Sequence, residues 1–191
     1  MKKITVILAL MLLCASFAGC KNEKEPSIDN TKTPDVSQQQ GEALPVEQKK
    51  EPVATLLNLY FPDDQALYLH KEQRVVGIVE GESVERAILE QLFVGPKTNG
   101  LSPSLDGEDL INSVSVDENG LCTVDFKSDF VLLNTGGTAR ESYVIGSIVN
   151  SLCELEHINS VKINIDGKTD AEFGHSTLDS VFVPQEDLIS K

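Results

Sequence analysis

What most limits the fold open to this 191-residue chain is the abrupt partition of its apolar residues. Behind a short basic start, Met1-Lys2-Lys3, the run from Ile4 to Ala18 is uncharged and almost wholly apolar. From Lys21 to about Val53 hydrophobic periodicity vanishes. Lys, Glu, Gln, Ser, Thr, Asp and Pro dominate there, with Gln38-Gln39-Gln40 in the middle. Only from about Thr55 onward do apolar and polar residues mix at the periods of strands and helices. A hydrophobic core has to come from that last stretch, which is long enough for one small domain.

The first apolar run has the length of a signal-peptide core and falls short of the roughly 20 residues that span a bilayer. It closes on Phe17-Ala18-Gly19-Cys20. Small residues directly before a Cys resemble the lipobox of bacterial lipoproteins, with Phe17 where Leu, Val or Ile is usual. That resemblance implies a signal peptide at 1–19 and a new N-terminus at Cys20 whose thiol carries diacylglycerol with palmitate-type chains. Two chains hold a protein on a membrane where one is marginal. The alternative is an ordinary cleaved signal that leaves Cys20 a free thiol. Cys14 follows the bulky Leu12-Leu13 and does not fit the pattern. The expected location is the cell membrane, lipid-anchored on its extracytoplasmic face. Residues 20–53 then form the lipidated Cys and a flexible linker, too poor in apolar groups to offset chain entropy. As a coil this linker reaches about 30 Å.

Charge narrows the partners. Net charge is −14, and loss of Lys2 and Lys3 with the signal leaves 14 basic residues against 30 acidic ones. So acidic a chain repels nucleic acid and anionic headgroups, so the anchor, not basic patches, must supply membrane attachment. Seven Phe, three Tyr and no Trp leave few aromatic platforms for sugars.

The domain reads as 54–184, with 185–191 a C-terminal tail. Leu56 to Phe61 predicts a strand, stopped by the turn chemistry of Pro62-Asp63-Asp64. Ala66–His70 predicts the returning strand, continuing toward Val79. Ser83 is an N-cap with Glu85 in the first turn, and the helix runs to Val94, where Gly95-Pro96 stops it. Ile111–Val116 and Leu121–Phe126 alternate around Asp117-Glu118-Asn119-Gly120, a hairpin signal that places Cys122, Val124 and Phe126 on one face. Thr138-Ala139-Arg140-Glu141 matches a capping box ahead of a stripe formed by Val144, Ile145, Ile148, Val149 and Leu152. Ser160–Ile165 is a last strong strand, and Leu178–Val183 adds a short one. The order β-β-α-β-β-α-β predicts an α+β domain. Two amphipathic helices would bury their stripes on one face of a small, mostly antiparallel or mixed sheet, leaving its other face open.

An ordered set of segments within Thr55–Val183 resembles the GerMN domain of sporulation and spore-germination lipoproteins. The segments are Leu59-Tyr60-Phe61 with Leu67-Tyr68-Leu69, Leu92-Phe93-Val94-Gly95-Pro96-Lys97, Gly146 through Leu152, Val161 through Gly167, and Gly174-His175. The resemblance implies a non-catalytic domain similar to ring-building modules. It also implies work in sporulation or germination, by self-association or by binding another exported envelope protein.

Candidate sites are sparse. Gly136-Gly137 precedes a helix start but lacks phosphate-loop spacing and reads as a turn. Asp166, Asp170 and Glu172, or Asp63 and Asp64, are turn carboxylates without a calcium-loop pattern. His70, His157 and His175 lack zinc spacing, and the reading for His175 is a structural hydrogen bond. No catalytic residues, metal or cofactors are expected. Cys122 and Cys153 are either a disulfide, permitted outside the cytoplasm, or two small buried hydrophobes. A solute-binding lipoprotein and a wall hydrolase are the alternatives to an assembly module.

Overall fold

The computed structural model describes residues 51–191, so the signal peptide, Cys20 and nearly all of the linker lie outside the described residues. The first element is an antiparallel ribbon. β1 (Val53–Pro62) pairs with β2 (Leu69–Ile78), with Leu57 opposite Arg74 and Phe61 opposite His70. Alternation sends Leu57, Leu59 and Phe61 inward, and all three are buried. Between the strands Asp63 organises the turn. Its carboxylate accepts the backbone N–H groups of Gln65, Leu67 and Tyr68 at 3.0, 2.9 and 3.1 Å. These bonds, that from Leu67 foremost, hold the Asp63 carboxyl below the usual range.

α1 (Val84–Val94) begins where Ser83 Oγ accepts the Arg86 N–H, and ends on Gly95 at φ 81°, as the sequence predicts. β3 (Ile111–Val116) and β4 (Leu121–Phe126) follow as the predicted hairpin. Cys122, Val124 and Phe126 are fully buried on one face of β4. α2 (Asp129–Asn134) and α3 (Thr138–Leu152) then cross over to β5 (Ser160–Ile165), which lies parallel to β4. A parallel neighbour requires such a crossover. A minimal hairpin, β6 (Glu172–Phe173) with β7 (Ser176–Thr177), precedes β8 (Val181–Phe182), which pairs antiparallel with β5.

The class is the α+β that the pattern predicts, but the strands do not make one sheet. They divide into a four-stranded sheet in the order β3-β4-β5-β8, the β1–β2 ribbon and the β6–β7 hairpin. The reason lies in α3. Its apolar stripe (Val144, Ile145, Ile148, Val149 and Leu152) is buried as predicted, yet Gly146, Ser147, Asn150 and Ser151 on other sides are buried too. The helix lies alongside β1, where Ser151 Oγ accepts the Tyr60 N–H at 2.9 Å. A helix thus covers the strand edge that a further strand would otherwise occupy. Only a small residue fits at 146: a Cβ there would come within 2.9 Å of Leu188 Cδ1 and 3.0 Å of Leu69 Cδ1.

The final segment, read from sequence as a tail, closes this side of α3. Asn150 Oδ1 accepts the Gln185 N–H at 2.7 Å, a 3-10 turn spans Glu186–Leu188, and Ser190 N–H bonds Leu69 O at 3.0 Å. α2, which alternation did not reveal, delivers Phe130 to the core. Its ring stacks on Phe126 at 4.1 Å and on Phe173 at 5.6 Å, with Phe93 edge-on to Phe126 and Phe130. Ring contacts of this kind tie α1, α2, β4 and β6 into one core.

Candidate functional site

The charged groups of the domain mostly hold the fold. Glu72 and Arg74 share one face of β2 because they are two residues apart, and both are buried, at 6% and 4% exposure. Arg74 Nη2 donates to Glu72 Oε1 and, at 2.8 Å, to Gly95 O; Nη1 donates to Gln91 Oε1 at 3.0 Å. Glu72 Oε2 accepts the N–H groups of Lys97 and Thr98, both at 2.8 Å. Burial alone would raise the Glu72 pKa. The Arg74 bond and the donors from Thr98 and Lys97 outweigh it and pull the carboxyl down to about 2. The pair therefore staples β2 to the end of α1 and the loop beyond. Sequence reading passed over it, although two charges at inward-facing strand positions were the available signal.

A second buried carboxylate corrects the expected capping box. Gly137, at φ 99°, occupies the N-cap of α3, and no side chain caps the helix. Thr138 is already the first helical residue, which puts Glu141 one position too late to reach back to the cap. Glu141 turns inward instead, 1% exposed, and accepts the His175 N–H at 2.9 Å while facing His175 Nδ1 at 3.2 Å. Burial opposes its ionisation, but the His175 N–H and ring hold its pKa below the ordinary value. Gly174 makes this approach possible, since a Cβ there would sit 1.9 Å from Glu141 Oε1. This is the structural hydrogen bond expected of His175.

The three histidines pair with three separate carboxylates. His70 Nε2 lies 3.4 Å from Asp63, His157 Nε2 2.8 Å from Glu85, and His175 joins Glu141. Among the described residues no group of three or more His, Cys, Asp or Glu is placed to hold a metal ion. Asp166 accepts a hydrogen bond from Asn112 at 3.3 Å, and Gly136-Gly137 forms the turn into α3. Cys122 and Cys153 are both free thiols in this structure. Burial pushes Cys122 up to about 12, with the charge of Glu85 adding to it, and pushes Cys153 up to about 11. Thiols at such values stay protonated and poorly nucleophilic at neutral pH.

What the fold leaves outside is more informative. On the ribbon Leu56 and Val75 stand directly opposite one another, 56% and 65% exposed. On α2, Leu132 is 77% exposed and Leu133 is exposed as well. A groove of about 430 Å³ runs between the end of α1 and the start of β3, with Phe93, Val94, Leu110 and Ile111 as its apolar lining. Three of its charged groups are engaged in pairs, Arg86 with Glu90 at 2.9 Å and Asp109 with Lys127 at 2.7 Å, while Glu108 also lines it. The outer face of the four-stranded sheet carries Ser113, Ser115, Thr123, Asp125, Lys162 and Asn164, with Leu121 and the exposed Val181 as its apolar members. No helix among the described residues is long and apolar enough to cross a membrane.

A family model described as "Germane: Sporulation and spore germination" matches residues 58–171, more than half of the chain. Two solved structures share the fold. One holds the tandem GerMN domains of the sporulation protein GerM from Bacillus subtilis, at 22% identity and a TM-score of 0.53. The alignment covers 72% of this chain and 46% of that one, so the chain spans about half of the tandem structure. The other is the first GerMN domain of the same protein, at 21% identity and a TM-score of 0.51, covering 72% of this chain and 98% of that one. No curated protein matches the chain.

Proposed function

The chain belongs to the Germane family of sporulation and spore germination, and from that premise we propose that it is a lipid-anchored, extracytoplasmic lipoprotein whose domain binds other proteins rather than catalysing a reaction. The lipobox at Phe17-Ala18-Gly19-Cys20 supports the anchor at Cys20, and the polar linker up to Val53 would hold the domain clear of the headgroups. One observation carries the binding role. Most buried charges of the domain are spent on its own fold, while apolar side chains stand outside it at the Leu56–Val75 pair, Val94 and Leu132. Apolar groups left outside the core, the cross-strand pair Leu56–Val75 above all, are available for a protein contact to cover. The partner is another exported envelope or sporulation protein, or a second copy of the chain.

Two experiments on the full chain in its host test this reading. In membrane fractionation, wild type should pellet with membranes and Cys20→Ala should be released or mislocalised; equal retention of both would contradict the anchor. In-cell crosslinking should join the domain to a defined protein, whereas a free monomer at every growth stage would contradict the binding role. The groove beside β3 is the observation that favours a small-ligand receptor instead, since it exceeds the roughly 300 Å³ of a small-molecule site. Arg86, Glu90 and Asp109 are held in ion pairs and leave only Glu108 to meet a ligand, which makes this the second reading.

A further inference from the structure

β3 is the edge of the four-stranded sheet, with β4 on one side and no strand on the other. Its register fixes which backbone groups are free. Asp117 N–H bonds Leu121 O at 3.0 Å, and Lys127 N–H bonds Leu110 O at 2.9 Å across a bulge between Ile111 and Ser113. Antiparallel alternation then directs the N–H and C=O of Ser113 and Ser115 toward β4, and those of Val114 and Val116 away from it. Among the described residues no other group takes up these outward donors and acceptors. The side chains of Val114 and Val116 are only half buried, because the core stops at this edge.

Edges of monomeric proteins are normally guarded by Lys, Pro or inward charges. This one carries only the bulge. Leu110-Ile111-Asn112-Ser113-Val114-Ser115-Val116 contains no charge at all, in a chain where 24% of residues are charged. Carboxylates close both ends of the run, Glu108 and Asp109 before it and Asp117 and Glu118 after it; Lys127 pairs with Asp109 at 2.7 Å, so each end stays net negative. Beside its first residues lies the apolar groove formed with Phe93 and Val94.

We infer that β3 is a docking edge that accepts an extended, basic-ended segment of another exported protein as a fifth strand. This rests on the assembly reading above and names its surface and the chemistry of its partner. The added strand bonds the outward N–H and C=O groups of Val114 and Val116, and every second side chain covers Val114, Val116 and the groove. Lys or Arg at its two ends meets Glu108 on one side and Asp117 and Glu118 on the other. The same flanks select against a second copy. In an antiparallel β3–β3 pair, Asp117 and Glu118 of each protomer would lie beside Glu108 and Asp109 of its partner, and like charges so placed repel.

The test uses the full chain in detergent and a synthetic peptide, Lys-Lys-Val-Thr-Val-Thr-Val-Lys-Lys, with amide hydrogen exchange read at single residues. Peptide should slow exchange about tenfold or more at Val114 and Val116, amides that are unpaired in the free chain. A control peptide of equal charge with Pro in place of the middle Val should leave both unchanged. Val114→Pro removes one outward N–H without touching the β4 ladder, and the paired change Ser113→Lys with Ser115→Lys adds charge to the edge. Each should weaken peptide binding about tenfold or more. Equal binding of the Pro peptide, or unaltered binding by both variants, would overturn the proposal by reducing it to nonspecific charge attraction. Protection at Val114 and Val116 that grows with protein concentration alone would overturn it in favour of a second copy. Should the edge stay unprotected while cells still yield crosslinks through Leu132 or the Leu56–Val75 face, the edge assignment falls and the assembly reading stands.

Discussion

Replacing Arg74 by Met tests the physical account of the fold most sharply. Met matches the stem of the side chain and removes the guanidinium that contacts Glu72, Gln91 and Gly95. Glu72 would keep the Lys97 and Thr98 N–H donors but lose its counter-charge in a site it leaves only 6% exposed. Breaking a buried pair from one side costs about 3–5 kcal/mol. Linkage gives an independent magnitude. The Glu72 carboxyl lies near 2 against an ordinary value of 4.5. At about 1.36 kcal/mol per pH unit that interval is worth about 3 kcal/mol, an upper bound on the share of Arg74 because the Thr98 and Lys97 donors contribute to it. The sign is that of a depressed acid: the contribution is complete above pH 4.5 and is lost as pH falls from 4.5 toward 2. Other carboxylates titrate in the same window, so the readout is the difference between wild type and variant. Urea unfolding of the full chain between pH 2 and 7 should place Arg74→Met about 3 kcal/mol below wild type at pH 7, with the gap closing toward pH 2. A gap under about 1 kcal/mol at pH 7, or one that does not change with pH, would show that the Glu72–Arg74 pair does not staple β2 to α1.

Three further outcomes follow from the same geometry. Gly174→Ala forces a Cβ against Glu141 at a backbone φ of 62°, so its thermal midpoint should fall in keeping with a loss of about 2 kcal/mol or more. Phe130→Ala empties the centre of the ring stack and should cost about 3–5 kcal/mol in urea unfolding, whereas the exposed Leu132→Ala two residues on should stay within about 0.5 kcal/mol. Cys122, buried and raised to about 12, should resist iodoacetamide at pH 8 in the folded chain and react once urea unfolds it; equal rates in both states would contradict its burial.

Much of this architecture is legible in the sequence because the elements that build the core have clean periods. Leu121–Phe126 alternates, Val144–Leu152 repeats at helical spacing, and Asn119-Gly120 marks the turn between β3 and β4, so these elements lie where the pattern puts them. α2 and the β6–β7 hairpin are too short to complete a period, and tertiary contacts of Phe130 and Phe173 define them instead. The division of the strands was illegible for another reason. It depends on the small, polar side of α3, where Gly146 and Ser151 read as surface in a one-stripe helix but are the residues that let β1 and Leu188 close in. The capping box failed by one position, since Gly137 and not Thr138 stands at the cap. The open edge of β3 was visible only as an uncharged alternating run. Which of its flanks lacks a neighbour is a property of topology, set by residues far away in sequence.

The role proposed for this domain is to hold another protein outside the cell. Its most direct measurement is photo-crosslinking in the native host, from single photoreactive residues placed at Ser115, Val75 and Leu132 of the membrane-bound chain, with the joined peptides sequenced. Adducts from Ser115 should join an extended segment of one exported protein with Lys or Arg at its ends. An absence of protein adducts from all three positions, through vegetative growth and sporulation alike, would contradict it.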